Sequence, residues 1–201
     1  LENNHNNWSS IYVMGSHLGI RNTTFANSTS KYATAIYTSE SVVVIKKSKF
    51  VNLVANITAG ALGFKDVNSI NVDGCEFIHA LSSKNGGAIF IDFPAGDTES
   101  RGSIVINNTV FEECSSMFGG ALLQLGGELV LLNSNFTSNH ADFNGGAVYL
   151  SYTETLMENC VFVKNNVNLT DEDYYTYGGA AFVDYSKFIA VHSKFINNSA
   201  Y

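Results

Sequence analysis

Three acidic residues recur along this chain at a constant step: Glu40, Asp66 and Asp92 stand 26 residues apart. Two carboxylates side by side are the minimum equipment for cleaving a glycosidic bond, and three can hold a divalent cation. Glu40 and Asp66 each follow an alanine (Ala35, Ala61) by five residues, and Asp92 follows Ala88 by four. If segments one step apart lie on neighbouring strands, the first two carboxylates come within about 5–6 Å of each other. The plainer reading is three solvated acids at a strand end. A second candidate is Asp171-Glu172-Asp173 with Tyr174, Tyr175 and Tyr177, an acidic aromatic segment suited to a cation or a sugar, or simply an exposed insertion. The histidines His5, His17, His79, His140 and His192 fall at unrelated positions of the repeat, so no metal site is indicated. No Ser-His-Asp order or phosphate loop can be placed.

What must position such residues is a repeat. Phenylalanine recurs at Phe25, Phe50, Phe77, Phe111, Phe136, Phe162 and Phe195, in steps of 25, 27, 34, 25, 26 and 33. Gly86-Gly87-Ala88-Ile89, Gly119-Gly120-Ala121-Leu122, Gly145-Gly146-Ala147-Val148 and Gly178-Gly179-Ala180-Ala181 open successive units, with degenerate copies at Ser9-Ser10-Ile11, Thr34-Ala35-Ile36 and Gly60-Ala61-Leu62. A fixed period of this length means one structural unit copied and stacked. The units carry short β-branched runs such as Val42–Ile45 and Leu129–Leu132, separated by Gly, Asn and Ser, and no stretch holds a helical period. Seven and five residues before each Phe stand apolar columns (Val43 and Ile45, Ile104 and Ile106), spaced by two and so on one strand face. Three before comes a turn column (Asn22, Lys47, Gly74, Asn108, Asn133, Asn159, His192), and two before a small one (Ser48, Cys75, Thr109, Ser134, Cys160). Columns of like residues, one per unit, describe an all-β parallel β-helix of about seven coils, with the Phe residues stacked inside. The coils are approximately 8–32, 33–58, 59–85, 86–118, 119–144, 145–177 and 178–201, in a single domain spanning 1–201. The longer steps mark insertions between Asp92 and Gly102 and between Asn166 and Tyr177, which belong on the outside. Neither end shows the polar cap a solenoid needs, so the sequence reads as a segment of a longer helix.

Gly-Gly-Ala-aliphatic paired with Phe-x-x-Asn, kept at Phe136/Asn139, Phe162/Asn165 and Phe195/Asn198, resembles the polymorphic outer-membrane protein repeats. The resemblance implies the right-handed parallel β-helix of autotransporter adhesins and protist surface proteins. It specifies the fold and not the function, since the same architecture resembles that of pectin-cleaving enzymes and phage tailspikes. The Asp-Asp and Gly-His-Gly signatures expected of a polygalacturonase are absent.

With a net charge of −7 and 11 basic residues in no stripe, nucleic acid is not an expected partner. No apolar run approaches the ~18 residues of a membrane span. Eight Asn-x-Ser/Thr sequons occur, at Asn7, Asn22, Asn27, Asn56, Asn107, Asn135, Asn168 and Asn197. They point to a secreted glycoprotein whose only added groups are N-linked glycans, without cofactor or metal. Of the three cysteines, Cys75 and Cys160 share an inward column three coils apart, too far to bond, and all three read as free thiols filling small core positions. No sequon falls between a marker Ala and the strand five residues before its Phe. That stretch carries two largely apolar columns, Tyr12, Tyr37, Gly63, Phe90, Leu123, Tyr149 and Phe182, and Gly19, Val44, Asn71, Val105, Val130, Leu156 and Ile189, which face outward if Ile89 and its equivalents point in; the opposite strand phase puts the Ala and aromatic columns inside. A bare apolar face marks an interaction surface, with Tyr37, Phe90, Leu123, Tyr149 and Phe182 as its anchors. The expected function is a non-enzymatic structural or adhesive rod at the cell surface. It would meet itself, other surface proteins or glycans, and it suits a filament subunit. The rivals are a polysaccharide lyase or hydrolase using Glu40, Asp66 and Asp92, and a bacterial autotransporter passenger with accidental sequons.

Overall fold

Period-two alternation of apolar and polar residues turns one face of each short strand inward, and the units before and after supply its hydrogen bonds. The computed structural model describes residues 8–93, 102–168 and 175–201. Among these residues there are 25 strands and no helix. The strands form three sheets of seven, seven and eleven strands. Successive strands of one unit go to different sheets: Leu122–Leu125 to the first, Glu128–Leu132 to the second, Asn135–Thr137 and His140–Asn144 to the third. Each pairs in parallel with its equivalents one unit earlier and one unit later, as Leu129 does with Ile104 and Thr155. The arrangement is consistent with a parallel β-solenoid. After the segments 94–101 and 169–174, which lie outside the described residues, pairing resumes in register at Ser103↔Ser69 and Val148↔Ala181.

The columns read from the sequence are the register of the sheets. Phe25 pairs with Phe50, Phe50 with Phe77, and so on through Phe162 and Phe195. Their rings stack with centroids 4.5–5.2 Å apart and planes within 10° of parallel. The spacing of neighbouring strands, about 4.8 Å, sets this parallel stacking repeat. The first six rings are at most 1 % exposed. Phe195 departs from the expected internal ladder at 47 % exposure, because no described unit covers its outer face.

Left-handed φ recurs at fixed places in the units. The turn column is one such corner, from Asn22 at 49° to His192 at 49°. A second lies two residues after each Phe (Asn27, Asn52, His79, Glu113, Ser138, Lys164, Asn197), and a third five residues after the marker position (Gly15, Glu40, Asp66, Gly126, Tyr152, Tyr185). In the Gly-Gly marker the first glycine is also left-handed (Gly86, Gly119, Gly145 and Gly178, φ 56–71°), and the second answers a different need. A Cβ at Gly120 would stand 2.2 Å from the carbonyl oxygen of Gly146, so the backbones of neighbouring units meet there with no room for a side chain.

Polar residues inside are satisfied in ladders. In the small column, Ser134 Oγ donates to the carbonyl of Leu132 at 2.7 Å and accepts the Thr109 N–H at 3.1 Å. Cys75 and Cys160 take the same place, their thiols turned to the carbonyls of Asp73 and Glu158. Asn139 and Asn165 are fully buried. Asn165 Oδ1 accepts from the Asn139 amide side chain at 2.9 Å and the Asn139 N–H at 3.0 Å, and Asn198 Oδ1 receives the equivalent pair from Asn165. Pairing buried amides with each other and with the backbone removes the cost of leaving them dry and unbonded.

Phe136→Ala should cost about 3–5 kcal/mol, from lost burial and the cavity left between Phe111 and Phe162. Urea denaturation of the variant against the parent measures it.

Candidate functional site

The strands Ile36–Ser39, Leu62–Lys65 and Ile89–Asp92 are neighbours in the first sheet, and the three candidate carboxylates sit at their ends. The Glu40 N–H donates to the Lys65 carbonyl at 3.2 Å and the Asp66 N–H to the Asp92 carbonyl at 3.0 Å, so consecutive units bring these residues to one sheet edge as their spacing requires. Glu40 is exposed; Asp66 and Asp92 are half-buried. Burial pushes the Asp92 carboxyl above its ordinary pKa; Lys65 opposes this and the Asp66 charge adds to it. The Tyr37 hydroxyl is raised first by burial, then by Tyr12, Asp92 and Asp66. One Asp66 carboxylate oxygen is buried without a hydrogen-bond partner.

Backbone geometry gives two of these acids a different reason to be there. Glu40 and Asp66 have φ of 48° and 49°, and occupy the same corner column as Gly15 and Gly126. Aspartate visits this conformation more readily than most residues, because its short side chain bonds locally. Among the described residues, no three His, Cys, Asp or Glu side chains are grouped so as to hold a metal ion. His140 stands 3.1 Å from Asn166 Oδ1 and 3.3 Å from Asp142, and His79 pairs with Glu113. His17 and His192 are exposed, and His5 lies outside the described residues, as do Asp171, Glu172, Asp173 and Tyr174. Tyr175 and Tyr177 are exposed.

All three cysteines are free and buried. Burial pushes the Cys114 thiol up to about 12, and raises those of Cys75 and Cys160. Thiols so protonated are poor nucleophiles.

The strand phase expected for the first sheet holds. Ile36, Leu62, Ile89, Leu122 and Val148 are fully buried, and the residues after them turn outward. Tyr12 is exposed, and Tyr37, Phe90, Tyr149 and Phe182 are half-buried. Leu123 does not follow them. At 3 % exposure it offers no contact surface, because it lies in register between the larger Phe90 and Tyr149. Tyr12 stacks on Tyr37 at 5.6 Å and Tyr149 meets Phe182 at 5.0 Å. Phe118 and Phe143 widen this patch, 5.4 Å apart, with Phe118 edge-on to Tyr149. The sequence reading missed both, although each stands just ahead of a Gly-Gly pair. On the second sheet, Val130, Leu156 and Ile189 line a shallow groove of about 210 Å³ rimmed by Glu128, Glu154 and Lys187.

Six of the sequon asparagines, Asn22, Asn27, Asn56, Asn135, Asn168 and Asn197, are exposed, and Asn107 is half-buried. Asn7 lies outside the described residues. Asn22, Asn27 and Asn197 occupy left-handed corners. Asn107 bonds to Asp73 at 3.1 Å and accepts from Asn133 at 2.9 Å along the outer edge of the second sheet.

No protein-family model, curated protein or solved structure matches this chain significantly. Among the described residues, no helix is long and apolar enough to cross a membrane.

A carboxyl whose pKa is raised on folding binds its proton more tightly in the native state. Its contribution is therefore favourable at low pH and lost as pH rises from the ordinary carboxylate value of 3.8 through the raised one. Asp92→Asn should remove that loss. The variant's denaturation midpoint should equal the parent's in acid and exceed it at neutral pH, as urea titrations across the acid range would measure.

Proposed function

We propose that this chain is a segment of a right-handed parallel β-helix that serves as a glycan-coated extracellular rod, a structural or adhesive scaffold rather than an enzyme. Right-handedness is supported by the strong preference of crossovers between parallel strands of one sheet for that hand. The observation that carries the functional reading is the division of the surface. The described sequon asparagines stand at corners and on the outer edges of the second and third sheets, while the outer face of the first sheet carries none and is aromatic. Sugar on the first surfaces and apolar contact on the other suit a rod that spaces or assembles surface components. The aromatic face would meet another copy, another surface protein or a glycan, and repeated lateral contact of this kind would build a filament.

The glycan part is tested on native material. At least three sequons should carry N-linked sugar, Asn27, Asn107, Asn135 and Asn197 foremost, seen as mass removed by an amidase that releases N-glycans. Unmodified peptides at every sequon would overturn the glycoprotein reading and favour the autotransporter passenger. The contact part is tested by Tyr149→Asp. It should weaken self-association or surface binding in sedimentation or adhesion assays and leave the β-rich circular dichroism unchanged, since aromatic anchors dominate interfaces. Unchanged association would remove this face from the assembly.

The carbohydrate-active reading keeps one specific observation, the placement of half-buried Asp66 and Asp92 at one sheet edge, with the Asp92 carboxyl raised first by its burial. Cleavage of a pectin-like polymer by the parent but not by Asp66→Asn or Asp92→Asn would favour it over the scaffold.

A further inference from the structure

Two tyrosines stand at a corner that glycine, aspartate and glutamate occupy in other units. Tyr152 and Tyr185 occupy the corner five residues after the marker alanine, with φ of 56° and 44°. They are the only tyrosines at left-handed positions among the described residues, and a bulky side chain is disfavoured there. Burial does not offset that strain: the side chains are 62 % and 76 % exposed. What they do is stack on each other, centroids 5.1 Å apart and planes 6° from parallel. Two exposed phenols held parallel on neighbouring units are placed to react with each other. A sugar platform fits poorly, since each ring already has one face covered by the other.

We propose that Tyr152 and Tyr185 form a dityrosine cross-link when the protein meets hydrogen peroxide and a haem peroxidase. Each phenol gives up one electron and one proton, and the two together reduce one peroxide to two waters. The tyrosyl radicals join by a carbon–carbon bond between ring positions next to the hydroxyls. The hydrogens on those carbons then return to the oxygens, restoring two phenols, so the chain loses two hydrogen atoms. Both rings project from a corner into solvent, and coupling requires them to tilt from the stack. The link would tie the sixth unit to the seventh across the loop from 152 to 185, the kind of closure that stabilises by restricting the unfolded chain. The buried, unpaired cysteines supply no such staple. The tyrosine stack at Tyr12 and Tyr37 serves as an internal comparison. Tyr37 is half-buried with a raised pKa, and burial is the first cause, so this pair should couple more slowly.

The inference stands on the corner geometry and does not depend on the glycan reading. The test treats the purified chain at micromolar concentration with a haem peroxidase and hydrogen peroxide. Dityrosine fluorescence is followed, and cross-linked peptides are mapped by mass. Neighbouring rings on one chain have an effective concentration of about millimolar or more. The Tyr152–Tyr185 link within a monomer should therefore exceed any link between chains by roughly a thousandfold. Tyr152→Phe keeps a ring in the stack but has no phenol to oxidise, so it should abolish that link while the circular dichroism stays as in the parent. The linked parent should also resist urea to a higher concentration than the unlinked chain. Equal coupling of the most exposed tyrosines, Tyr175 and Tyr201 at 84 % and 81 %, would overturn the proposal, as would links formed only between chains. Persistence of the same fluorescence in the Tyr152→Phe chain would overturn it as well.

Discussion

Every inward residue of this chain must fit the residue one unit before it and the residue one unit after it. In a sandwich or a helical bundle, packing partners differ from place to place. Here the partner is the same position of the repeat, so the interior is built from columns of like with like. Phe is stacked on Phe, the small hydroxyls and thiols on each other, and Asn139 on Asn165 on Asn198. A column tolerates a change of residue type where neighbours remain compatible. The position three residues after each Phe runs Ser28, Leu53, Ala80, Cys114 and then Asn139, and the change is bridged because Cys114 presents its N–H to Asn139 Oδ1 at 3.0 Å.

This constraint explains how much of the fold could be read from the sequence. The Phe register, the inward columns of the second sheet, the turn column three residues before Phe and the buried thiols were all legible, because a stacked column repeats its chemistry in every unit. The left-handed corner two residues after Phe was not. Its occupants, from Asn52 through His79 and Glu113 to Lys164, share a backbone conformation and no side-chain type, and composition carries no signal of that kind.

The same blindness shaped the reading of the candidate site. Glu40 and Asp66 attracted attention because acids at a constant step resemble a catalytic pair. The step is real and the residues are neighbours, yet the conformation they share with Gly15 and Gly126 shows that the position is a corner first. Regular spacing in a repeat is guaranteed by the repeat, so it cannot separate chemistry from architecture. The outward aromatic column was legible in phase and wrong at Leu123, since exposure depends on the bulk of the rings to either side and not on direction alone.

The hydrogen bonds between units have a mechanical consequence. Strands lie across the long axis and their bonds run along it, so a force drawing the two ends apart loads the bonds of one unit at a time and peels it from the stack. A unit of about 25 residues, pulled out to about 3.4 Å per residue, releases roughly 85 Å of chain. Under tension such a stack would lengthen in steps, of about that size for the units of 25–27 residues and about a third longer for those of 33 and 34, a ratchet of units giving way one after another instead of a domain that fails as a whole.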